Sequence, residues 1–190
     1  AFEGLLQGFK YLSKQKSIAS VIMLGVTLGL FGSSFETLLP VFTDEVFSGG
    51  EGVYGNLLLG AGIGGLTATT AITLIGRRVR PALYLIIAGV GVGATQLIFA
   101  RMEVLSAAIF VAGIMGGFRV VLGTMNTTVV QTLVDEEFRG RVMSINQLTW
   151  GASALGGLTM GYLAQKFDAP TAMTVGGTIA ILATLIVGQR

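Results

Sequence analysis

Two charged residues stand inside long apolar stretches of this 190-residue chain, Glu36 and Arg119. A carboxylate in such a place can take up and release a proton. A guanidinium can hold an anionic group or tune a carboxylate. Burying either charge costs roughly 2.5–3.5 kcal/mol on insertion scales, so such residues face a cavity, pair with each other or lie on an ion pathway. Plainer readings stand beside these. Glu36 lies one turn before Pro40 and can snorkel to a nearby interface, and Arg119 can be a structural charge held by backbone carbonyls. Thr124, Asn126, Thr127, Thr128 and Gln131 follow Arg119. At the helical period Arg119, Gly123, Asn126 and Val130 share one face, which lines a polar cavity or bonds to a neighbouring helix. Asn146, Gln147 and Trp150 make a second polar patch, with Trp150 either packed in the core or lining the cavity.

A third group lies between apolar stretches: Asp135, Glu136, Glu137, Phe138, Arg139, Gly140 and Arg141. Acids and bases alternate over a short turn, and Gly140 permits unusual backbone angles. Such charges can form a clamp between helix ends, or simply hold the loop out of the membrane.

Six apolar stretches position these residues, each near the roughly 20 residues that cross a bilayer. They run from Ser17 to Pro40, Val53 to Ile75, Pro81 to Ala100, Val104 to Val134, Val142 to Gln165 and Ala169 to Val187. Composition agrees. Hydrophobic residues make up 52% and charged residues 12%, against about 25% charged in a soluble domain, too few to coat a water-soluble globule. Mean hydropathy is +0.78. The 29 glycines suit close helix approach in a membrane. Gly60 and Gly64, Gly89 and Gly93, Gly113 and Gly117, and Ser153, Gly157 and Gly161 recur at four-residue steps, giving faces that pack tightly or slide.

The absence of Cys and His removes disulfides, thiolate and imidazole metal sites and Ser–His catalysis. No Asp or Lys falls within a span, which argues against an intramembrane enzyme. The net charge of +2 gives no nucleic-acid signal. No cofactor is expected. The bilayer is the expected partner, with both termini on the cytoplasmic side of the plasma membrane, because basic residues collect in cytoplasmic loops. Nine of the twelve basic residues fall on that side, among them Lys10, Lys14, Lys16, Arg77, Arg78, Arg139 and Arg141. Only Arg101 and Lys166 fall on the other. Residues 1–16, with Phe2, Leu5, Leu6, Phe9 and Leu12 at helical spacing, form an amphipathic helix at the cytoplasmic interface or the end of a linker, and residues 17–190 form the transmembrane domain.

The sequence resembles the major facilitator superfamily, in particular the C-terminal half of exporters in the enterobactin-type siderophore and multidrug efflux branch. The resemblance rests on Leu39-Pro40-Val41-Phe42, Tyr54-Gly55-Asn56-Leu57-Leu58, the run Gly60 to Gly65 and, most specifically, Gln131 to Ser144 with its acidic turn and Arg-Gly-Arg-Val-Met. It covers nearly the whole chain. It implies an all-α six-helix bundle, helices seven to twelve of twelve, built of two inverted three-helix repeats. Its partners would be a missing N-terminal six-helix half, protons and a small-molecule substrate. The implied activity is proton-coupled export of a small amphiphilic molecule such as a drug or siderophore. Glu36 would be the proton-coupling residue, and Arg119, Asn126, Gln131, Asn146 and Trp150 would share the pathway. The 135–141 turn would be a cytoplasmic gate. Gly76-Arg77-Arg78 resembles a weak copy of the family's loop between helices two and three, without its Asp. The alternative is a six-helix accessory or scaffold subunit that transports nothing alone.

Overall fold

A computed structural model describes residues 2–32, 34–75 and 80–189, without the side chains of residues 2–6, 34, 148–150 and 152. The expected Gly76-Arg77-Arg78 loop and the side chain of Trp150 lie outside the described residues. Everything described is helix or short connection. Helix α1 (Phe2–Lys14) precedes α2 (Lys16–Thr27), which runs through a π-helical stretch, Leu28–Gly32, towards α3 (Ser34–Val41) and a second π stretch, Phe42–Val46. Then follow α4 (Glu51–Ile75), α5 (Pro81–Phe99), α6 (Leu105–Leu133), α7 (Arg139–Lys166) and α8 (Ala169–Gly188).

Five helices are long and apolar enough to cross a membrane among the described residues: Lys16–Val46, α4, α5, α6 and α8. Helix α7 has the length, 28 residues, but falls short in apolarity. Its first half carries Ser144, Asn146, Gln147 and Thr149, and its second half is rich in glycine. The first span also extends further than Pro40. The helix passes through that proline, which has no N–H to donate to the carbonyl of Glu36, and the chain widens into the second π stretch directly after it. Membrane helices tolerate such prolines because neighbours and local readjustment satisfy the freed groups.

Helix α6 packs along both α4 and α5, α5 also packs on α8, and the first span lies against α7 and α8. Glycine sets the α4–α6 distance. A Cβ on Gly64 would fall on the carbonyl of Gly113, and one on Gly60 would sit 2.7 Å from the Ile109 oxygen. On α7, a Cβ on Gly156 would collide with the backbone of Leu30 in the first π stretch, whereas Gly161, at the end of the Ser153–Gly157–Gly161 row, faces open space.

Two apolar clusters fill the bundle. One joins Leu12, Ile22, Leu24, Met125, Val130, Val142 and Ile145. The other joins Phe35, Leu39, Phe42, Phe99, Met115, Met160 and Met173. Phe99 stands at its centre, edge-on to Phe35 at 5.1 Å and to Phe42 at 5.2 Å between ring centroids. These rings fix the α3 segment that carries Glu36.

Candidate functional site

The structure brings the two intramembrane charges together. Arg119 Nη1 of α6 lies 2.9 Å from Glu36 Oε1 of α3. The arginine side chain is 24% exposed and the glutamate 62%, so the cation is held in the wall while the carboxylate reaches into open space. That space is a groove of about 750 Å3 between the first span, α4 and α6. Its walls include Phe35, Leu58, Ala61, Val120, Gly116 and Gly123, with Thr124, Thr127 and Thr128 adding hydroxyls. Thr128 Oγ1 donates back to the Thr124 carbonyl at 2.8 Å. A mostly apolar concavity with a few converging polar groups is the form of a small-molecule site.

Glu36 owes its place to the break in the first span. The π stretch Leu28–Gly32 ends just before it, and the carbonyl of Gly32 accepts a 2.8 Å hydrogen bond from Gln96 Nε2 of α5. Gln96 is completely buried, and its Oε1 has no hydrogen-bond partner among the described residues. Single π turns inside α-helices recur at functional sites. Gln96 was not singled out by sequence; a glutamine in an otherwise apolar stretch was its signal.

The other pathway candidates lie elsewhere. Asn126 turns away from the groove: its Nδ2 donates to the Val21 carbonyl of α2 at 3.1 Å, and Gly25 makes room for it. The groove face of α6 therefore follows Arg119, Gly123 and Thr127, one turn apart, rather than Arg119, Asn126 and Val130, because α2 covers the latter. Gln131 is exposed near the end of α6 and Asn146 is buried within α7; neither lines the groove. Trp150 has its backbone in α7.

At the end of the bundle that bears α1, the turn between α6 and α7 is held by an aromatic contact. Tyr11 of α1 stacks on Phe138, with centroids 4.5 Å apart and planes 13° from parallel. Its hydroxyl donates to Asp135 Oδ2 at 3.0 Å and accepts from the Asp135 N–H at 3.3 Å. Arg141 lies over the other partner, 5.4 Å from the Phe138 centroid. Arg139 and Glu136 form an exposed pair at 3.7 Å. The clamp expected among the turn's own charges is thus one weak ion pair, and the tighter contacts run to α1. Gly140 is the second residue of α7 and needs no special backbone angle, which corrects the expectation of an unusual turn there. At the other end, Asp168 caps α8 by accepting from the Thr171 N–H. That bond, and then the Thr171 side chain, hold its carboxyl below the usual carboxylate range.

Comparison with known proteins accords with this geometry. The family model described as transmembrane secretion effector, a branch of the major facilitator superfamily, matches residues 1–190. The staphyloferrin A transporter of Staphylococcus aureus (strain NCTC 8325 / PS 47) is 27% identical over 157 residues, covering 82% of this chain and 39% of the relative. The chain thus spans about two fifths of the relative's length. An all-helical bundle of membrane-length helices, a charged pair in an open groove and a family match over every residue agree: this chain is an integral, multi-pass membrane protein that belongs to the transmembrane secretion effector family of major facilitator transporters.

Proposed function

We propose that the chain forms the C-terminal six-helix half of a proton-coupled exporter, with both termini on the cytoplasmic face of the plasma membrane. The groove is one wall of the substrate cavity, and a second six-helix half supplies the other. The observation that carries this reading is the 2.9 Å contact between Glu36 and Arg119 across the groove. A membrane-embedded ion pair at the edge of a cavity can open when its carboxylate takes a proton. Arg119 then loses its counter-charge and the groove changes both shape and potential. Rocking of the two halves exposes that carboxylate to either side in turn.

The cargo is a small amphiphilic molecule, such as a drug or a siderophore. The groove's apolar walls with few polar groups support an amphiphile, and the relative named for staphyloferrin A supports a siderophore-like one. Two inverted three-helix repeats, α2–α5 and α6–α8, fit the family plan. Orientation rests on the clustering of basic residues at the end bearing α1 and the α6–α7 turn.

Dye efflux from energised vesicles tests the reading, using the chain joined to its native upstream sequence. Arg119→Ala and Glu36→Gln, at matched expression, should each abolish proton-driven efflux. Full efflux from either variant would sink the assignment of the pair. An absence of efflux from the wild-type joined protein would sink the transporter reading itself.

A further inference from the structure

We propose that the cleft between α1 and the α6–α7 turn binds the phosphate-bearing headgroup of an anionic phospholipid. The cleft holds about 330 Å3, and Lys10, Lys14 and Arg141 stand around it with Tyr11 and Phe138 between them. Lys10 and Tyr11 lie three and four residues after Gln7, and Lys14 lies four and three after them, so a single face of α1 turns its polar side towards the α6–α7 turn.

Charge balance points to an anion. Among the described residues, three cations meet one carboxylate in the lining, Glu137. Outside the lining, Asp135 accepts from the Tyr11 hydroxyl and Glu136 lies 3.7 Å from Arg139. Among the described residues neither lysine nor Arg141 takes part in an ion pair. Like charges facing each other across a gap repel unless an anion enters, and a phosphate diester presents the acceptor oxygens that ammonium and guanidinium groups prefer.

Position points to a lipid rather than to a soluble phosphate. Leu12 of α1 is buried against the bundle, and Gly8 packs on Ile145 of α7. Phe9 is 54% exposed, an aromatic ring offered to the surroundings beside Lys10. A helix seated in this way lies in the interface plane, with its cations at headgroup level. On the cytoplasmic leaflet, where anionic lipids concentrate, each basic residue adds about fivefold to binding. The proposal rests on the orientation proposed above.

The test uses the full transporter in nanodiscs of phosphatidylglycerol and phosphatidylcholine, reading retained lipid by native mass spectrometry after transfer to detergent. Wild-type protein should retain phosphatidylglycerol selectively. Lys10→Gln with Lys14→Gln should lose roughly 25-fold in selectivity, and Lys10→Arg with Lys14→Arg should restore it. Arg101→Gln with Lys166→Gln, the same change of charge at the other end, should leave it intact. Equal loss from the two Gln pairs would overturn the site in favour of a general charge effect. Unchanged retention in the Lys10/Lys14 pair would overturn it outright. Binding of glycerol 3-phosphate without selective lipid retention would overturn the lipid as occupant. A Ser13→Cys label in intact cells separates this from orientation: labelling from outside refutes the orientation, whereas labelling only after permeabilisation, with no selective lipid, refutes the cleft alone.

Discussion

A double-mutant cycle on Glu36 and Arg119 probes the structure most directly. At 2.9 Å the gross attraction between unit charges is about 6 kcal/mol at an effective dielectric of 20 and about 1.4 kcal/mol in bulk water. Glu36 is 62% exposed, so water screens the pair, and ordering its side chain costs entropy. Arg119, at 24% exposed, has already lost much of its hydration. The net coupling should therefore lie near 1–2 kcal/mol, above the range for surface pairs and below that for fully buried ones. The single variants should differ in a definite order. Glu36→Gln leaves an enclosed cation without its partner, whereas Arg119→Gln leaves a carboxylate already facing the groove. Glu36→Gln should therefore cost more stability, and Arg119→Gln placed on top of it should recover part of the loss. Unfolding of the full transporter and its three variants, measured in one detergent, supplies the cycle. A coupling below about 0.3 kcal/mol, the scatter of independent sites, would refute the pairing. A larger loss for Arg119→Gln than for Glu36→Gln would refute the account of which charge is enclosed.

Gly64→Ala should destabilise by about 1–3 kcal/mol, because its Cβ would fall on the Gly113 carbonyl, while Gly55→Ala on the same helix meets open space and should not; thermal melting of the two variants decides. Asn126→Ala removes the donor to Val21 and should cost about 0.6 kcal/mol, at most about 1.7, with the dye affinity of the folded fraction unchanged because the side chain lies off the groove. The Asp168 cap bond lowers that carboxyl's folded-state pKa, so its contribution is present above the unfolded value and is lost as pH falls through the folded one. An acid titration of stability should show a loss below the usual carboxylate range that Asp168→Ala removes, and an identical acid limb in both proteins would refute it.

Much of the fold could be read from apolar run lengths, since a helix must satisfy its own backbone in a membrane and needs a fixed length to cross it. Helix α7 agreed in length while falling short in apolarity, because a helix partly covered by its neighbours can carry a buried Asn146 where a lipid-facing one cannot. Glu36 and Arg119 could be singled out because a charge in an apolar run is conspicuous. Their contact could not, as it joins two elements far apart in the chain. Helical period placed Asn126 beside Arg119, but only the seat of α2 decides which residues of that face are covered. The first π stretch leaves no periodic trace, because it lies where Gln96 and Gly156 meet the first span. Tyr11 falls within the stretch read as an interfacial helix, but its partners Asp135 and Phe138 are set by docking.

The widened turn at Leu28–Gly32 acts as a phase setting for the first span. A π turn holds about one residue more than an α turn, and each α-helical residue advances the helix by about 100°. Closing that turn to α geometry would therefore rotate the segment beyond it by roughly one residue's angle and carry Glu36 off the face that meets Arg119. Whether the two charges meet is thus governed by the winding of the five residues that precede the α3 segment. The same winding is gripped by the Gln96 amide on one side and by the close approach of Gly156 on the other.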